Sequence, residues 1–132
     1  MTSYKIDGKW RGHYTYASNP DSGSSFDAIF EDKDGALAGE IVDDEWMGAA
    51  VIVGSFSFPD VRFTKQYTGI KLASIDYKGT MSSDGKTMSG TWIIFESEKT
   101  IRGSWHAYRI DQQQEKRKEK AHAVKEKVDK VF

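Results

Sequence analysis

The residues of this sequence best suited to chemistry are one lysine and two tyrosines. Lys65 and Tyr67 are two positions apart, so they share one face of any strand that contains them, and Tyr77 follows on the next predicted strand. An ammonium group beside two phenolic hydroxyls, at the end of an aromatic surface, is suited to binding a small carboxylate or a phenol. Without such a ligand, Lys65 needs either a buried carboxylate, for which Glu96 is the candidate, or a place at the solvent-exposed rim.

Two histidines form a second candidate site. If the first and last strands pair so that Trp10 faces Arg109, then His13 faces His106 on the outer surface, where two imidazoles about 5 Å apart could chelate a metal. No third ligand is evident, so two solvated imidazoles are the simpler interpretation. We predict no metal site.

A third candidate is the acidic loop at 43–48, where Asp43, Asp44 and Glu45 precede Trp46 and Met47. Three neighbouring acids can bind a divalent cation, but such a triplet is usually solvated. Exposed Trp46 and Met47 favour a lid over the barrel mouth or a protein contact. The sequence shows neither a Ser/His/Asp arrangement nor a phosphate-binding loop, so we predict no catalytic residue and no cofactor.

Eight runs of alternating apolar and polar residues predict the elements that position these side chains. A period of two is typical of a half-buried strand. Short turns such as Asp34-Gly35 and Asp84-Gly85 predict hairpins, and the longest polar loop is expected at 17–25. Regular short strands without a long return connection favour an all-β, eight-stranded antiparallel up-and-down barrel in which the first and last strands meet. The predicted strands span residues 9–16, 25–31, 36–42, 49–56, 61–67, 75–81, 87–95 and 100–109.

The inward side of this predicted barrel is strongly aromatic. An eight-stranded barrel is either filled by its own side chains or holds one small ligand, and both alternatives stay open. Recurring inward glycines suit strands that bend to close the barrel or a lumen that stays open. The predicted ligand-binding residues are Tyr14, Phe30, Phe63, Lys65, Tyr67, Tyr77, Trp92 and Trp105.

The character of the chain changes at Asp111. Residues 111–132 are rich in charged helix formers, and apolar side chains recur at three-, four- and seven-residue spacings from Ala121 to Phe132. We therefore predict a barrel over 1–110 and a C-terminal α-helix of about 15–20 residues in 111–132, with Asp111 as its N-cap. This helix is expected to pack on the barrel wall, with a coiled-coil or dimer contact as the alternative.

The bulk composition excludes several classes of function. The 132 residues fit one domain, and a net charge of −1 gives no global attraction to nucleic acid. The chain has no cysteine, which excludes disulfides and thiol chemistry. Residues 1–4 open no apolar run, and no stretch approaches the ~20 apolar residues of a membrane span, so we expect a cytoplasmic protein without a signal peptide.

Gly8-Lys9-Trp10 at the start of the first strand, with Arg109 at the end of the last, resembles the calycin superfamily of lipocalins, fatty-acid-binding proteins and avidins. In that superfamily, a Gly-x-Trp motif packs beneath the barrel against a basic residue from the final strand, and the cation covers the indole face. The resemblance spans residues 8–109. It implies that Trp10 and Arg109 close the barrel structurally.

The families of that superfamily resemble this sequence to different degrees. Residues 17–25 leave no room for the helix pair of fatty-acid-binding proteins, and the disulfides of secreted lipocalins are absent. The short-looped strands are most similar to the avidins, but Gly12 and Tyr14 stand where avidins carry polar biotin-binding residues. The chain also resembles bacterial barrel domains of unknown function, which implies no activity. The motifs that carry this likeness are Val61–Tyr67, Tyr77–Gly79, Gly90–Trp92 and Gly103–Trp105.

The sequence therefore predicts a barrel that binds a small lipophilic or aromatic acid as a carrier or sensor. One alternative is a calycin-type enzyme in which Lys65, Tyr67 and Tyr77 act as acid or base. Another is a non-enzymatic oligomerisation or interaction module with a plugged barrel. The expected partners are a small hydrophobic or aromatic ligand and a second copy of the chain, but neither nucleic acid nor a membrane.

Overall fold

The computed structural model describes residues 5–43, 48–69, 73–96 and 98–110, without the side chain of Glu96. These residues form eight β-strands that follow one another through short connections. The predicted helix in 111–132 lies outside the described residues. The strands are β1 (Gly8–Tyr16), β2 (Asn19–Lys33), β3 (Ala36–Asp43), β4 (Ala49–Ser57), β5 (Asp60–Tyr67), β6 (Ile75–Met81), β7 (Thr87–Glu96) and β8 (Lys99–Arg109).

The eight strands form one closed antiparallel barrel in sequence order. Each strand pairs with the next, and β8 returns to pair with β1. In that closing pair Trp10 lies opposite Arg109 and His13 opposite His106, the predicted register. The all-β, eight-stranded up-and-down barrel predicted from the alternation is therefore confirmed.

The loop predicted at 17–25 is wrong. Only residues 17 and 18 form the turn, and β2 begins at Asn19 and runs for 15 residues. Thr15 pairs with Gly23 whereas Tyr16 pairs with Asn19, so the extra residues of β2 bulge out of the ladder. Gly23 supplies the bulge with a φ of 143°, which a side chain would oppose. Most of the Gly, Pro and Ser residues that predicted a loop at 17–25 therefore belong to an irregular strand.

Burial follows the predicted period of two. On β5, Val61, Phe63, Lys65 and Tyr67 are buried, and the residues between them are exposed. Side chains of this parity point into the barrel, because successive residues of a strand face opposite sides of the sheet.

Aromatic rings pack against one another inside the barrel. The Phe63 ring stacks on Tyr77 with 4.7 Å between centroids, and Phe30 and Trp105 meet Phe63 edge-on at 5.5 and 5.9 Å. Offset and edge-on contacts at these distances are favourable between aromatic rings. All four rings belong to the predicted ligand-binding residues, and in the structure they contact one another.

Two inward glycines allow the indoles to lie flat against the sheet. A Cβ on Gly103 would lie 2.6 Å from the Trp92 ring, and one on Gly79 would lie 2.7 Å from the Trp105 ring. Each indole N–H then donates to a backbone carbonyl at 3.1 Å, Trp92 to Thr15 and Trp105 to Lys78. The inward glycines therefore make room for rings that lie across neighbouring strands.

One end of the barrel is closed by Trp10 and Arg109, and we call it the closed end. Trp10 is fully buried, and its indole N–H donates to the carbonyl of Ile6 at 2.9 Å. The Arg109 guanidinium lies over the indole and donates to the carbonyls of Lys5 and Asp7 from the segment before β1. The structural closure implied by the two residues is therefore present.

Candidate functional site

A buried ion pair lies near the opposite end of the barrel. The Lys65 Nζ donates to both carboxylate oxygens of Asp43, at 2.8 and 2.9 Å. The side chain of Lys65 is 1% exposed and that of Asp43 is 0% exposed. We call this the polar end, defined by Asp43, Lys65 and Tyr67.

Aromatic side chains surround the ammonium. The Tyr67 hydroxyl donates to Asp43 Oδ2, so the carboxylate accepts from both a lysine and a phenol. The Lys65 Nζ lies 4.7 Å from the centroid of the Tyr67 ring, 5.8 Å from that of Tyr14 and 6.0 Å from that of Tyr77. Cations are attracted to ring faces at such distances, which helps to compensate for the loss of water around the ammonium.

Both tyrosines next to the pair are held in the neutral form. Burial raises the pKa of Tyr67, and its hydrogen bond to the Asp43 carboxylate raises it further. Burial also raises the pKa of Tyr77, and the negative charge of Asp43 adds to this shift. In both cases the cost of a buried phenolate keeps the proton on the oxygen. Tyr67 therefore acts as a hydrogen-bond donor, and neither tyrosine is suited to act as a base near pH 7.

Lys65 binds the carboxylate of Asp43, which was not predicted as its partner. The predicted contact with Glu96 stays a prediction. The side chain of Glu96 lies outside the described residues. The alternative of a solvated Lys65 at the rim is wrong, because the side chain is buried. Asp43 was assigned to a solvated acidic loop, whereas it is the last residue of β3 and 4% exposed.

Strand parity could have found Asp43. Leu37 and Ile41 point inward on β3, so a strand extended by one residue beyond 42 points Asp43 inward as well. The three consecutive acids concealed this signal, since an acidic run ordinarily marks a solvated turn. The rest of that loop, 44–47, including Trp46 and Met47, lies outside the described residues.

The predicted ligand-binding residues divide into two groups. Tyr14, Lys65, Tyr67 and Tyr77 meet at the ion pair, and Tyr14 contacts Trp92 edge-on at 6.2 Å. The other group is the ring cluster inside the barrel. Only the first group combines polar atoms with aromatic walls. The ring cluster comprises Phe30, Phe63, Trp105 and Tyr77, so Tyr77 belongs to both groups.

The two histidines face each other as predicted, with ring centroids 5.9 Å apart. The Nδ1 of His13 lies 3.3 Å from the Ser25 hydroxyl. Within the described ranges, no group of three or more His, Cys, Asp or Glu side chains is placed to hold a metal. Two imidazoles on a solvent-facing surface give no basis for a metal centre here.

No protein-family model matches the chain, and no curated protein matches it significantly. Among the residues that the structure describes, no helix is both long and apolar enough to cross a membrane.

Proposed function

We propose that the protein is a carrier or sensor that binds a small lipophilic or aromatic acid, or a phenol, at the polar end of its barrel. The observation that carries this proposal is the Asp43–Lys65 ion pair, buried on both sides and bonded to Tyr67. Removing two charges from water is costly, and apolar residues of similar volume usually stabilise a core as well or better. A charged pair among aromatic rings is thus better explained by recognition than by stability.

The geometry also restricts the ligand. The rings of the ring cluster pack against one another, so the ligand belongs beside Lys65, between the rings of Tyr14, Tyr67 and Tyr77. The aromatic walls favour an apolar or aromatic body, and the ion pair and the Tyr67 hydroxyl provide the polar contacts that fix its orientation.

Charge balance makes the binding of an acid dependent on protons. Among the described side chains, Asp43 already neutralises Lys65, so a ligand carboxylate would add a further negative charge to a buried site. The acid therefore binds with its proton. We expect the affinity for an acid to fall by up to about tenfold per pH unit above the pKa of the ligand, whereas a phenol binds independently of pH below its own pKa.

The experiment is a thermal-shift screen of aromatic and long-chain carboxylic acids and phenols, with their methyl esters and methyl ethers as matched controls. A ligand at 100 times its Kd should stabilise the protein by about 2.7 kcal/mol, a rise of several degrees in Tm. We expect acids or phenols to raise the Tm and their methylated forms to fail.

The double variant Lys65→Met/Asp43→Leu should abolish the shift and still fold, because it replaces the buried pair with apolar side chains. Its matched control is Arg11→Met/Asp27→Leu, which removes an ion pair on the outer surface and should keep the shift. The proposal fails if no acid or phenol in a broad panel shifts the Tm, or if the methylated forms are equally effective. Native mass spectrometry of freshly purified protein gives an independent test for a co-purified ligand.

The calycin-type enzyme is the weaker alternative. A general base works best with a pKa near the operating pH, whereas the pKa values of Tyr67 and Tyr77 are raised away from it. Lys65 is held by Asp43, which favours its charged, non-nucleophilic form. Turnover of a ligand found in the screen would favour the enzyme over the carrier.

One surface feature favours the interaction module as a second candidate. The outer face of β2–β4 exposes Ile29, Val42, Val51 and Val53, with Val53 68% exposed. Grouped apolar side chains on a polar barrel are typical of a protein contact, and a second copy of the chain would bury them in a symmetric interface. Sedimentation equilibrium tests this: a dimer that Val53→Lys dissociates supports the module, and a native monomer at high concentration eliminates it.

A further inference from the structure

The outer face of β5–β8 carries a groove that the lumen does not explain. Its volume is about 680 Å³, and its lining includes exposed side chains from all four strands. Arg62, Lys78, Thr91 and Ser104 lie side by side across these strands, one directly opposite the next. The long basic side chains of Arg62 and Lys78 line one side of the groove. The hydroxyl side chains of Thr91 and Ser104 are short and do not fill the groove.

Among the described residues, the basic side chains of the groove form no ion pair. Arg62 and Lys78 are cross-strand neighbours on one face, an arrangement in which like charges destabilise a sheet. Within the described part of the chain neither forms an ion pair, and the same is true of Arg102 on β8. Two acids share this face, Asp60 and Asp76, each diagonal to the basic pair across β5 and β6. Asp76 also lines the groove and accepts a hydrogen bond from the Thr64 hydroxyl at 2.9 Å. An anion between Arg62 and Lys78 would remove their repulsion.

The other side of the groove carries two apolar side chains beside charged ones, with Asp76 directly opposite Ile93 on β6. Ile93 and Phe95 point outward from β7, and Phe95 is 65% exposed. Arg102 lies directly opposite Ile93, so its guanidinium lies at the rim of the apolar area. A flat aromatic ring placed here can pack on Ile93 and Phe95 and stack on a guanidinium.

The spacing of the two sides limits the size of the ligand. Ile93 is two residues beyond Thr91, the partner of Lys78, so the Cα atoms of Lys78 and Ile93 are roughly 8 Å apart. One phosphate attached to an aromatic group spans such a distance. A phosphate offers several acceptor oxygens to an arginine and a lysine, and Thr91 and Ser104 can donate from the floor.

We propose that this groove binds a phosphate ester of an aromatic compound, with the phosphate between Arg62 and Lys78 and the ring on Ile93 and Phe95. This site is separate from the lumen and independent of the function proposed above. The shared chemistry is an aromatic group joined to one phosphate, which a mononucleotide and a non-nucleotide aromatic phosphate both supply.

The test is a ¹H–¹⁵N correlation NMR titration of the full chain with AMP, 1-naphthyl phosphate, adenosine and inorganic phosphate as probes. We expect AMP or 1-naphthyl phosphate to shift the amide signals of Arg62, Lys78, Thr91 and Ile93. Adenosine and inorganic phosphate should bind at least about tenfold more weakly, because each makes only half of the contacts. The stronger of the two esters identifies the nucleotide or the non-nucleotide source.

The variants Arg62→Ser/Lys78→Ser and, separately, Phe95→Ser should each weaken the ester by about tenfold or more, and their spectra report whether they fold. Lys33→Ser, an exposed lysine on β2, is the matched control and should bind like the native chain. Absence of shifts at millimolar ester, equal binding of adenosine, or unchanged binding by both groove variants would overturn the proposal. So would an oligothymidylate that binds tenfold tighter than AMP, since the groove would then be a nucleic-acid surface.

Discussion

The central carbon of the Arg109 guanidinium lies 4.5 Å from the centroid of the Trp10 indole ring. The same guanidinium donates to the backbone carbonyls of Lys5, Asp7 and Gly85. One side chain of β8 therefore connects the first strand, the segment before it and the turn between β6 and β7. The planar fork of arginine suits this task because it stacks on a ring and donates in several directions at once.

Arg109→Lys should therefore destabilise the protein although it keeps the charge. A single ammonium cannot stack on Trp10 and also reach three carbonyls, so we expect the free energy of unfolding to fall by about 2 kcal/mol. Urea unfolding followed by tryptophan fluorescence measures the change. Arg102→Lys on the outer face of the same strand is the control and should change stability by less than about 0.5 kcal/mol. Equal effects of the two variants would contradict the role given to Arg109.

Removing one partner of the buried ion pair should destabilise the protein strongly, whereas replacing both partners with apolar side chains should have little effect. Lys65→Met leaves the Asp43 carboxylate buried without its cation, so we expect a loss of about 3–5 kcal/mol in unfolding free energy. The double variant Lys65→Met/Asp43→Leu should recover most of that loss. A double-mutant cycle by urea unfolding measures the coupling.

The exposed pair of Arg11 and Asp27 provides the comparison. Its N–O distance of 2.9 Å is close to that of the buried pair, but its side chains are 29% and 57% exposed. Arg11→Met should therefore cost less than about 1 kcal/mol. If the two pairs gave similar coupling energies, burial would not be what makes the Lys65 pair strong.

Gly103→Ala should be among the most destabilising small substitutions. Its Cβ would lie 1.9 Å from the Thr15 carbonyl oxygen, a backbone atom that cannot move without disturbing the β1–β8 pairing. We expect a loss of about 3 kcal/mol or more. Gly69→Ala is the matched control, because a Cβ there meets no atom within 4 Å. Comparison of the two Tm values tests this, and equal values would show that the strands at Gly103 can separate freely.

Stability should fall at alkaline pH. The folded-state pKa values of Tyr67 and Tyr77 are raised above their ordinary value of 10.0, so unfolding releases protons once the pH exceeds about 10. The stability that these two phenols provide is complete below that pH and is lost as the pH rises towards the folded-state values. Tyr67→Phe should reduce the slope of unfolding free energy against pH above 10, while the slope at pH 6–8 stays unchanged. An identical alkaline slope in this variant would contradict the prediction.

The alternation of apolar and polar residues was sufficient to predict the barrel. On strands such as β5 and β8, most inward residues are apolar or glycine and the outward residues are polar, so parity predicts which face is buried. The Trp10–Arg109 register followed because a Gly-x-Trp and a terminal arginine identify the two strands that meet. β2 was shortened in the prediction because turn-forming residues also build a bulged strand.

The candidate site was predicted only in part, for a physical reason. Inward parity identified Lys65 and the tyrosines, but parity does not show which of several acids reaches a lysine 22 residues away. That depends on how far each strand is shifted along its neighbour, which the closed sheet sets and a single strand does not reveal. The ligand, the cytoplasmic location and the C-terminal helix stay predictions.

The unbroken ring of hydrogen-bonded strands has a consequence for how this molecule can meet others. Because β1 and β8 satisfy each other, the described barrel offers no row of unpaired amide and carbonyl groups to an incoming peptide. The described barrel therefore has no free strand edge for strand addition, nor for the edge-to-edge aggregation that open sheets allow. A partner that binds the outer surface of the described barrel must therefore contact side chains. A substitution on that surface can change the partner without altering the backbone of the strands.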